Sequence, residues 1–147
     1  MKKVVFGLCL GALLVGNACN KDIGGLPVNS WSVSGKTFTA SNVKVSTATS
    51  YITAADGKGS SLDLSFRSLP SSSADFNTSD AAYTSNDVVV RTVLSGNIIY
   101  NSVPGTGGFV SVRVNGGKYT VIMNDVKLVN FDKASDTVIV SSNIIEM

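Results

Sequence analysis

The stretch FVSVRVNGGKYTVIM, residues 109–123, shows most clearly how this chain folds. Val110, Val112 and Val114 alternate with polar residues before the central Asn-Gly-Gly at 115–117. A period of two places the valines on one face of a β-strand and the polar residues on the other. Asn and Gly readily adopt the positive φ angles with which two strands reverse. The stretch therefore predicts a β-hairpin with strands at 109–114 and 118–123.

The same alternation recurs along the chain and predicts an all-β fold. Glu, a good helix former, occurs only once, and short turns rich in Gly, Asn and Asp separate the apolar stretches. Regular spacing of short strands is typical of an antiparallel sandwich or barrel, and we expect a β-sandwich of about eight to nine strands over residues 31–147. The predicted strands are 31–33, 37–40, 43–53, 61–68, 88–95, 98–101, 109–114, 118–129 and, as the ninth, 137–145.

Two groups of apolar residues are predicted to form the core. Leu62, Leu64 and Phe66 share one parity of a strand, so we expect them to be buried together. Trp31, the only tryptophan, is expected to seal the edge of the core, and Phe38 is expected inside it.

The N-terminus has the composition of an export signal. Lys2 and Lys3 precede an apolar segment at 4–16, and the small residues Gly16 and Ala18 precede Cys19. This segment is too short to span a bilayer core of about 30 Å. Residues 1–18 resemble a bacterial lipoprotein signal, which implies that the Cys19 thiol receives diacylglycerol and that cleavage occurs just before it. The alternative is an ordinary signal peptide cleaved near Ala18, which would leave a free thiol.

Cysteine usage favours lipid attachment. The other cysteine, Cys9, lies within the signal, so Cys19 has no disulfide partner in the mature chain. Residues 19–30, with two glycines and Pro27, are predicted to form a flexible tether. Within it, Lys21-Asp22 resembles the charged export signal of some surface lipoproteins, although a solvated linker explains it equally well. We expect a lipid anchor in the outer membrane, on the periplasmic face or the cell surface.

Charge argues against nucleic acid as a partner. The formal net charge of the chain is +2. Loss of Lys2 and Lys3 with the signal leaves ten basic and ten acidic residues. A neutral domain lacks the basic surface that nucleic-acid binding requires.

The residues available for catalysis are few. The chain contains no histidine, the commonest general base and metal ligand, and acylation would consume Cys19. Ser41 and Lys44 have Ser-x-x-Lys spacing, but in a strand such positions face opposite ways. We therefore predict no catalytic residue, no cofactor and no enzymatic activity.

Residues 68–87 are mostly small and polar and are predicted to form a long loop. Asp75, Asn77 and Asp80 within it are spaced like the first ligands of a calcium loop. The sixth position is not glycine, and the twelfth, Asn86, is not acidic. A solvated loop built on Asx-turns is therefore favoured over a metal site.

Asp136-Thr137-Val138 resembles the three-residue O-glycosylation sequon of exported Bacteroidetes proteins. The resemblance implies that Thr137 carries a sugar and is exposed, with Val138 turned inward. The alternative is an unmodified junction between a turn and a strand.

The signal, Cys19, the tether and the opening WSVSGKTFTA at 31–40 together resemble short uncharacterised surface lipoproteins of Bacteroidetes with β-sandwich domains. The resemblance implies a non-catalytic, membrane-anchored domain that has a binding or structural role, with a glycan or an envelope protein as its partner. The alternative is a lipocalin-like barrel that carries a small molecule. Interior volume separates the two, because a carrier needs a cavity of several hundred Å³.

Overall fold

The computed structural model describes residues 25–147. The predicted signal at 1–18, Cys19 and the first part of the tether lie outside the described residues. The described part is all-β, as predicted, and consists of eleven strands. They are β1 (Ser30–Val33), β2 (Lys36–Thr39), β3 (Asn42–Ser46), β4 (Tyr51–Ala55), β5 (Ser61–Phe66), β6 (Ala74–Ser79), β7 (Asp87–Leu94), β8 (Ile98–Asn101), β9 (Phe109–Asn115), β10 (Lys118–Asn130) and β11 (Thr137–Ile145).

Hydrogen bonding connects all eleven strands into one sheet that closes on itself in the middle. Ten strands follow the order β2-β1-β11-β10-β9-β6-β7-β5-β4-β3, and β8 pairs with both β10 and β7. Strands β10, β9, β6, β7 and β8 therefore form a closed ring. One arm, β11-β1-β2, leaves the ring at β10, and the other, β5-β4-β3, leaves it at β7.

This architecture differs from the predicted sandwich of eight to nine strands. Strand β6 lies inside the predicted loop at 68–87, where it pairs antiparallel with β9 and parallel with β7. The predicted strand at 43–53 is two strands, β3 and β4. The chain reverses between them, and Ser50, which directly precedes β4, has a φ of 53°. The first error arises because a strand of small polar residues gives little periodicity and its pairing depends on distant segments. The second arises because the turn between β3 and β4 contains no glycine or proline that would mark it.

The hairpin at 109–123 is confirmed. Asn115 pairs with Lys118 across a two-residue turn. The turn residues Gly116 and Gly117 have φ angles of 58° and 80°. Positive φ at both central positions gives the twist that flanking strands need, and glycine adopts it without steric cost.

A buried serine fixes the closure of the ring. The Ser102 hydroxyl accepts a hydrogen bond from the Val90 backbone N–H at 2.9 Å and donates one to the Ser79 carbonyl. Its side chain thus connects the end of β6 with the middle of β7, directly after β8. Because the site is buried, each of these backbone groups would otherwise lack a partner.

The predicted core residues are buried. Leu62, Leu64 and Phe66 are 0%, 1% and 4% exposed, as the strand parity predicted. Phe66 contacts Phe76 of β6 edge to face, with ring centroids 5.0 Å apart. Trp31 stacks on Phe38 at 5.3 Å, and both rings are buried. The Trp31–Phe38 pair lies at the end of one arm, in β1 and β2, and the Phe66–Phe76 pair joins β5 of the other arm to β6 of the ring.

The fold begins earlier than the predicted domain boundary at residue 31. The Leu26 carbonyl accepts a hydrogen bond from the Asn143 side chain at 3.2 Å. Asn29 accepts one from the Ile145 backbone N–H at 2.7 Å, and Ser30 is buried in β1. Residues 26–30 of the predicted tether are therefore held against the last strand. Within residues 25–147, no helix has the length and apolar character needed to cross a membrane.

Candidate functional site

The outer face of the sheet carries a continuous row of aligned side chains. Each is the direct cross-strand partner of the next, from β11 through the ring to β3. In order, the residues of this transverse row are Thr137, Val129, Asn101, Arg91, Asp63, Thr53 and Lys44. With about 4.8 Å between neighbouring strands, the row is roughly 29 Å long when it is followed along the sheet, which curves at the ring. It points away from the core, because residues of the opposite parity, such as Leu64, Val90 and Leu128, are the buried ones.

Asp63 and Arg91 form the charged centre of the row. Asp63 is only 9% exposed although it lies on the outer face, and its carboxylate accepts a hydrogen bond from the Ser61 hydroxyl at 3.0 Å. Burial raises the pKa of Asp63, while hydrogen bonds from Ser61 and Thr53 and the charge of Arg91 oppose this rise. The buried Nε of Arg91 has no hydrogen-bond partner among the described residues.

The raised pKa of Asp63 predicts a pH effect on stability. A carboxyl group whose pKa is higher in the folded state stabilises the fold below its unfolded pKa of about 3.9 and loses that contribution as pH rises. The free energy of unfolding of the wild type, minus that of Asp63→Asn, is therefore expected to fall between about pH 3 and pH 7. Urea unfolding of both proteins across this range measures the difference.

Asp56 is a control, because its pKa is shifted in the opposite direction and the opposite pH dependence is expected. Burial alone would raise its pKa, but hydrogen bonds from the backbone N–H groups of Ser60 and Lys58 hold the pKa below its usual value. The same difference for Asp56→Asn should rise with pH. A flat or rising profile for Asp63→Asn would show that its carboxyl is not desolvated.

A cleft of about 460 Å³ opens on the row at Asn101 and Val129. It lies outside the ring, where β8 is paired between β7 and β10. Its lining residues are Asp80, Val89, Asn101, Ser102, Val103, Val129, Asn130, Phe131 and Ala134. Phe131 is 74% exposed, more than any other large hydrophobic residue among those described. We call this feature the Phe131 cleft.

Hydrogen bonds hold the loop that presents Phe131. The Asp136 carboxylate accepts bonds from the Tyr100 hydroxyl at 3.0 Å and the Asn130 side-chain amide at 2.9 Å. The Phe131 backbone N–H donates to the Ile99 carbonyl at 2.9 Å. Burial and the bond to Asp136 raise the pKa of Tyr100. The exposed ring thus has a fixed backbone beneath it.

A second cleft, of about 390 Å³, lies between β2 and the turn at 56–60. Lys36 is above the ring of Phe38, with Nζ 5.1 Å from the centroid, and Lys58 lies across the cleft. The Asp56 carboxylate there binds the backbone of its own turn. This carboxylate therefore stabilises its own turn.

The predicted sites have different positions in the structure. Cys19 lies outside the described residues. Thr137 is exposed at the start of β11 and Val138 is buried, so the site has the exposure that modification requires. The sequon aspartate, Asp136, is bound to Tyr100 and Asn130 and thus has a structural role of its own.

The residues of the candidate calcium site do not lie together in a loop. Asp75 and Asn77 lie in β6, and Asp80 follows its end. Asp75 accepts a hydrogen bond from the Ser111 hydroxyl at 2.7 Å and lies 4.0 Å from the Arg113 guanidinium. Residues 25–147 contain no group of three or more acidic, Cys or His side chains that could hold a metal ion. The extended backbone of β6 spreads the oxygen atoms that a calcium loop would bring together.

Sequence reasoning missed the Phe131 cleft. Its lining residues come from separate stretches at 80, 89, 101–103 and 129–134, which only the ring brings together. The one local signal was a phenylalanine within the polar stretch Asn130-Phe131-Asp132-Lys133.

No protein-family model, no curated protein and no solved structure matches this chain. Its function must therefore be inferred from its own residues and geometry.

Proposed function

We propose that this chain is an envelope lipoprotein, held in the outer membrane by lipid on Cys19, with a β domain that binds a partner and performs no chemistry. The Phe131 cleft is the observation that carries the binding role. A largely exposed aromatic ring on a fixed backbone, beside amide and carboxylate groups, is typical of a preformed binding surface.

The position of the fold along the chain limits the distance between the proposed anchor and the domain. Leu26 is already bound to the side chain of Asn143, so only residues 19–25 would connect the lipid to the domain. A connection of seven residues spans at most about 25 Å when extended. The β domain would therefore lie close to the membrane surface.

The interior favours a surface-binding domain over a lipocalin-like carrier. Large side chains that are less than 2% exposed fill the space inside the sheet, among them Trp31, Ile52, Leu62, Leu64, Met123, Leu128 and Ile144. Both clefts described above open to solvent, although Ser102, Phe38 and Ser60 among their lining residues are buried. A carrier needs an apolar cavity large enough for its ligand.

Native mass spectrometry of the mature protein in detergent tests this proposal against the carrier. We expect the mass of the lipidated chain without a stoichiometric apolar passenger. A non-covalent small molecule that remains with the protein and is released by organic solvent would contradict the proposal and support the carrier.

We further propose that Thr137 is O-glycosylated in the native host. Its exposure at the start of β11, with Val138 buried, supports this assignment. Thr137→Ala is expected to lower the intact mass of the natively produced protein by more than the substitution itself, because the sugar is lost with the hydroxyl. Thr39→Ala, at another exposed strand position without the sequon, is the control. Masses that differ only by the Thr137 substitution would reject the modification.

A further inference from the structure

We propose that the Phe131 cleft binds a neutral carbohydrate chain. This inference names the partner of the proposed binding domain and so rests on the proposed function. Three features of the cleft carry it: the aromatic ring, the polar groups beside the ring, and the charge of the lining.

The ring of Phe131 provides a flat apolar platform. Its backbone N–H is bonded to the Ile99 carbonyl, and the neighbouring Asn130 is fixed by Asp136, so the ring is positioned without being buried. Covering an exposed aromatic face is favourable because apolar area leaves water. A sugar ring presents a face of C–H groups that can cover an aromatic platform, while its hydroxyls point outward.

The polar groups of the cleft match hydroxyls. The amide of Asn101 offers both donors and an acceptor, and the carboxylate of Asp80 accepts hydrogen bonds. Among the hydrogen bonds within residues 25–147, none uses the Asn101 side chain, so its amide is available to a ligand. A hydroxyl both donates and accepts, and therefore pairs with either group. Asn130 has a positioning role, since both ends of its amide hold the loop.

The charge of the lining selects a neutral ligand. Asp80 is the only charged residue that lines the described cleft, and no Lys or Arg is among the lining residues. An acidic ligand would meet a carboxylate with no compensating cation in the cleft. The nearest cation of the row, Arg91, is the cross-strand partner of both Asn101 and Asp63, so it lies beside the cleft and next to a carboxylate of opposite charge. A neutral polyhydroxyl compound is the class that this lining accommodates.

The transverse row indicates a chain rather than a single sugar. The cleft lies part-way along the row, with Thr137 on one side of it and Arg91, Asp63 and Thr53 on the other. The half-buried side chains of Arg91 and Thr53 can contact further units of a ligand that crosses the strands, whereas Asp63 is covered by its neighbours. We therefore expect affinity to increase with ligand length.

Native gel electrophoresis of the mature protein in non-ionic detergent tests the proposal. The gels contain dextran, mannan, xylan or a soluble β-glucan as neutral probes, or polygalacturonate as the acidic probe. We expect at least one neutral polysaccharide to slow the wild type. Phe131→Ala is expected to lower the apparent affinity at least tenfold, with unfolding unchanged because the ring is exposed.

Phe109→Ala is the matched control. Phe109 is 61% exposed, but it lies opposite Asn77 in the β9–β6 pair and does not line the cleft, so its removal should leave the retardation unchanged. Three results would overturn the proposal: no retardation by any neutral probe, retardation by polygalacturonate alone, or equal retardation of Phe131→Ala and the wild type. Each would leave the lipid anchor untouched, whereas an unlipidated Cys19 would overturn the proposed function and not the sugar site.

Discussion

Phe66→Ala is expected to lower the free energy of unfolding by about 3–5 kcal/mol, the usual cost of removing a buried phenylalanine from a core. Phe66 is 4% exposed at the end of β5 and packs edge to face on Phe76, which is 3% exposed in β6. The substitution removes buried apolar surface and leaves a cavity where one arm of the sheet meets the ring. Urea unfolding should show a lower midpoint with an unchanged slope.

Phe109→Ala is the control, because the same change at a ring that is 61% exposed should cost no more than about 0.5 kcal/mol. Equal midpoints for the wild type and Phe66→Ala would mean that the inner and outer faces of β5 are assigned the wrong way round. That result would also remove the basis for placing Asp63 in the transverse row.

Cys19→Ala is expected to release the protein from the membrane or to leave its signal uncleaved. Two or three acyl chains, at about 0.8 kcal/mol per buried methylene, would supply nearly all of the membrane affinity. Metabolic labelling with a palmitate analogue, followed by separation of membrane and soluble fractions, measures the effect.

Asn20→Ala is the control for this experiment, because it alters the neighbouring residue and keeps the thiol. It should label and fractionate like the wild type. Label that persists in Cys19→Ala would place the lipid elsewhere and contradict the assignment.

The sequence predicted the strands whose two faces differ strongly in polarity. Leu62, Leu64 and Phe66 alternate with polar neighbours, and the structure buries all three. The turn at Gly116-Gly117 was equally predictable, because positive φ at both positions has a local signature. In such segments, periodicity and turn chemistry agree.

The closed ring depends on contacts that no local pattern contains. Strand β6 has one large apolar residue, Phe76, and its neighbours Thr78 and Ser79 are polar although buried. Ser102 closes the ring through hydrogen bonds to residues 12 and 23 positions away. Polar side chains that are buried by tertiary pairing resemble a solvated loop when only the sequence is considered.

The candidate site was unpredictable for the same reason. The sequence around Phe131 indicates only a turn. The structure shows that Phe131 lines the cleft together with Asn101 and Asp80, which are distant in sequence. Asp63 alternates with the buried Leu62 and Leu64 and so faces outward, yet neighbouring side chains cover it. Exposure within a wide sheet depends on the strands at either side, which sequence periodicity does not specify.

The mass of the N-terminal peptide, from mature protein isolated from host membranes, tests the central claim most directly. The proposal predicts a peptide that begins at Cys19 and carries diacylglycerol on its thiol. A peptide that begins at any other residue, or one with a free thiol at Cys19, would contradict it.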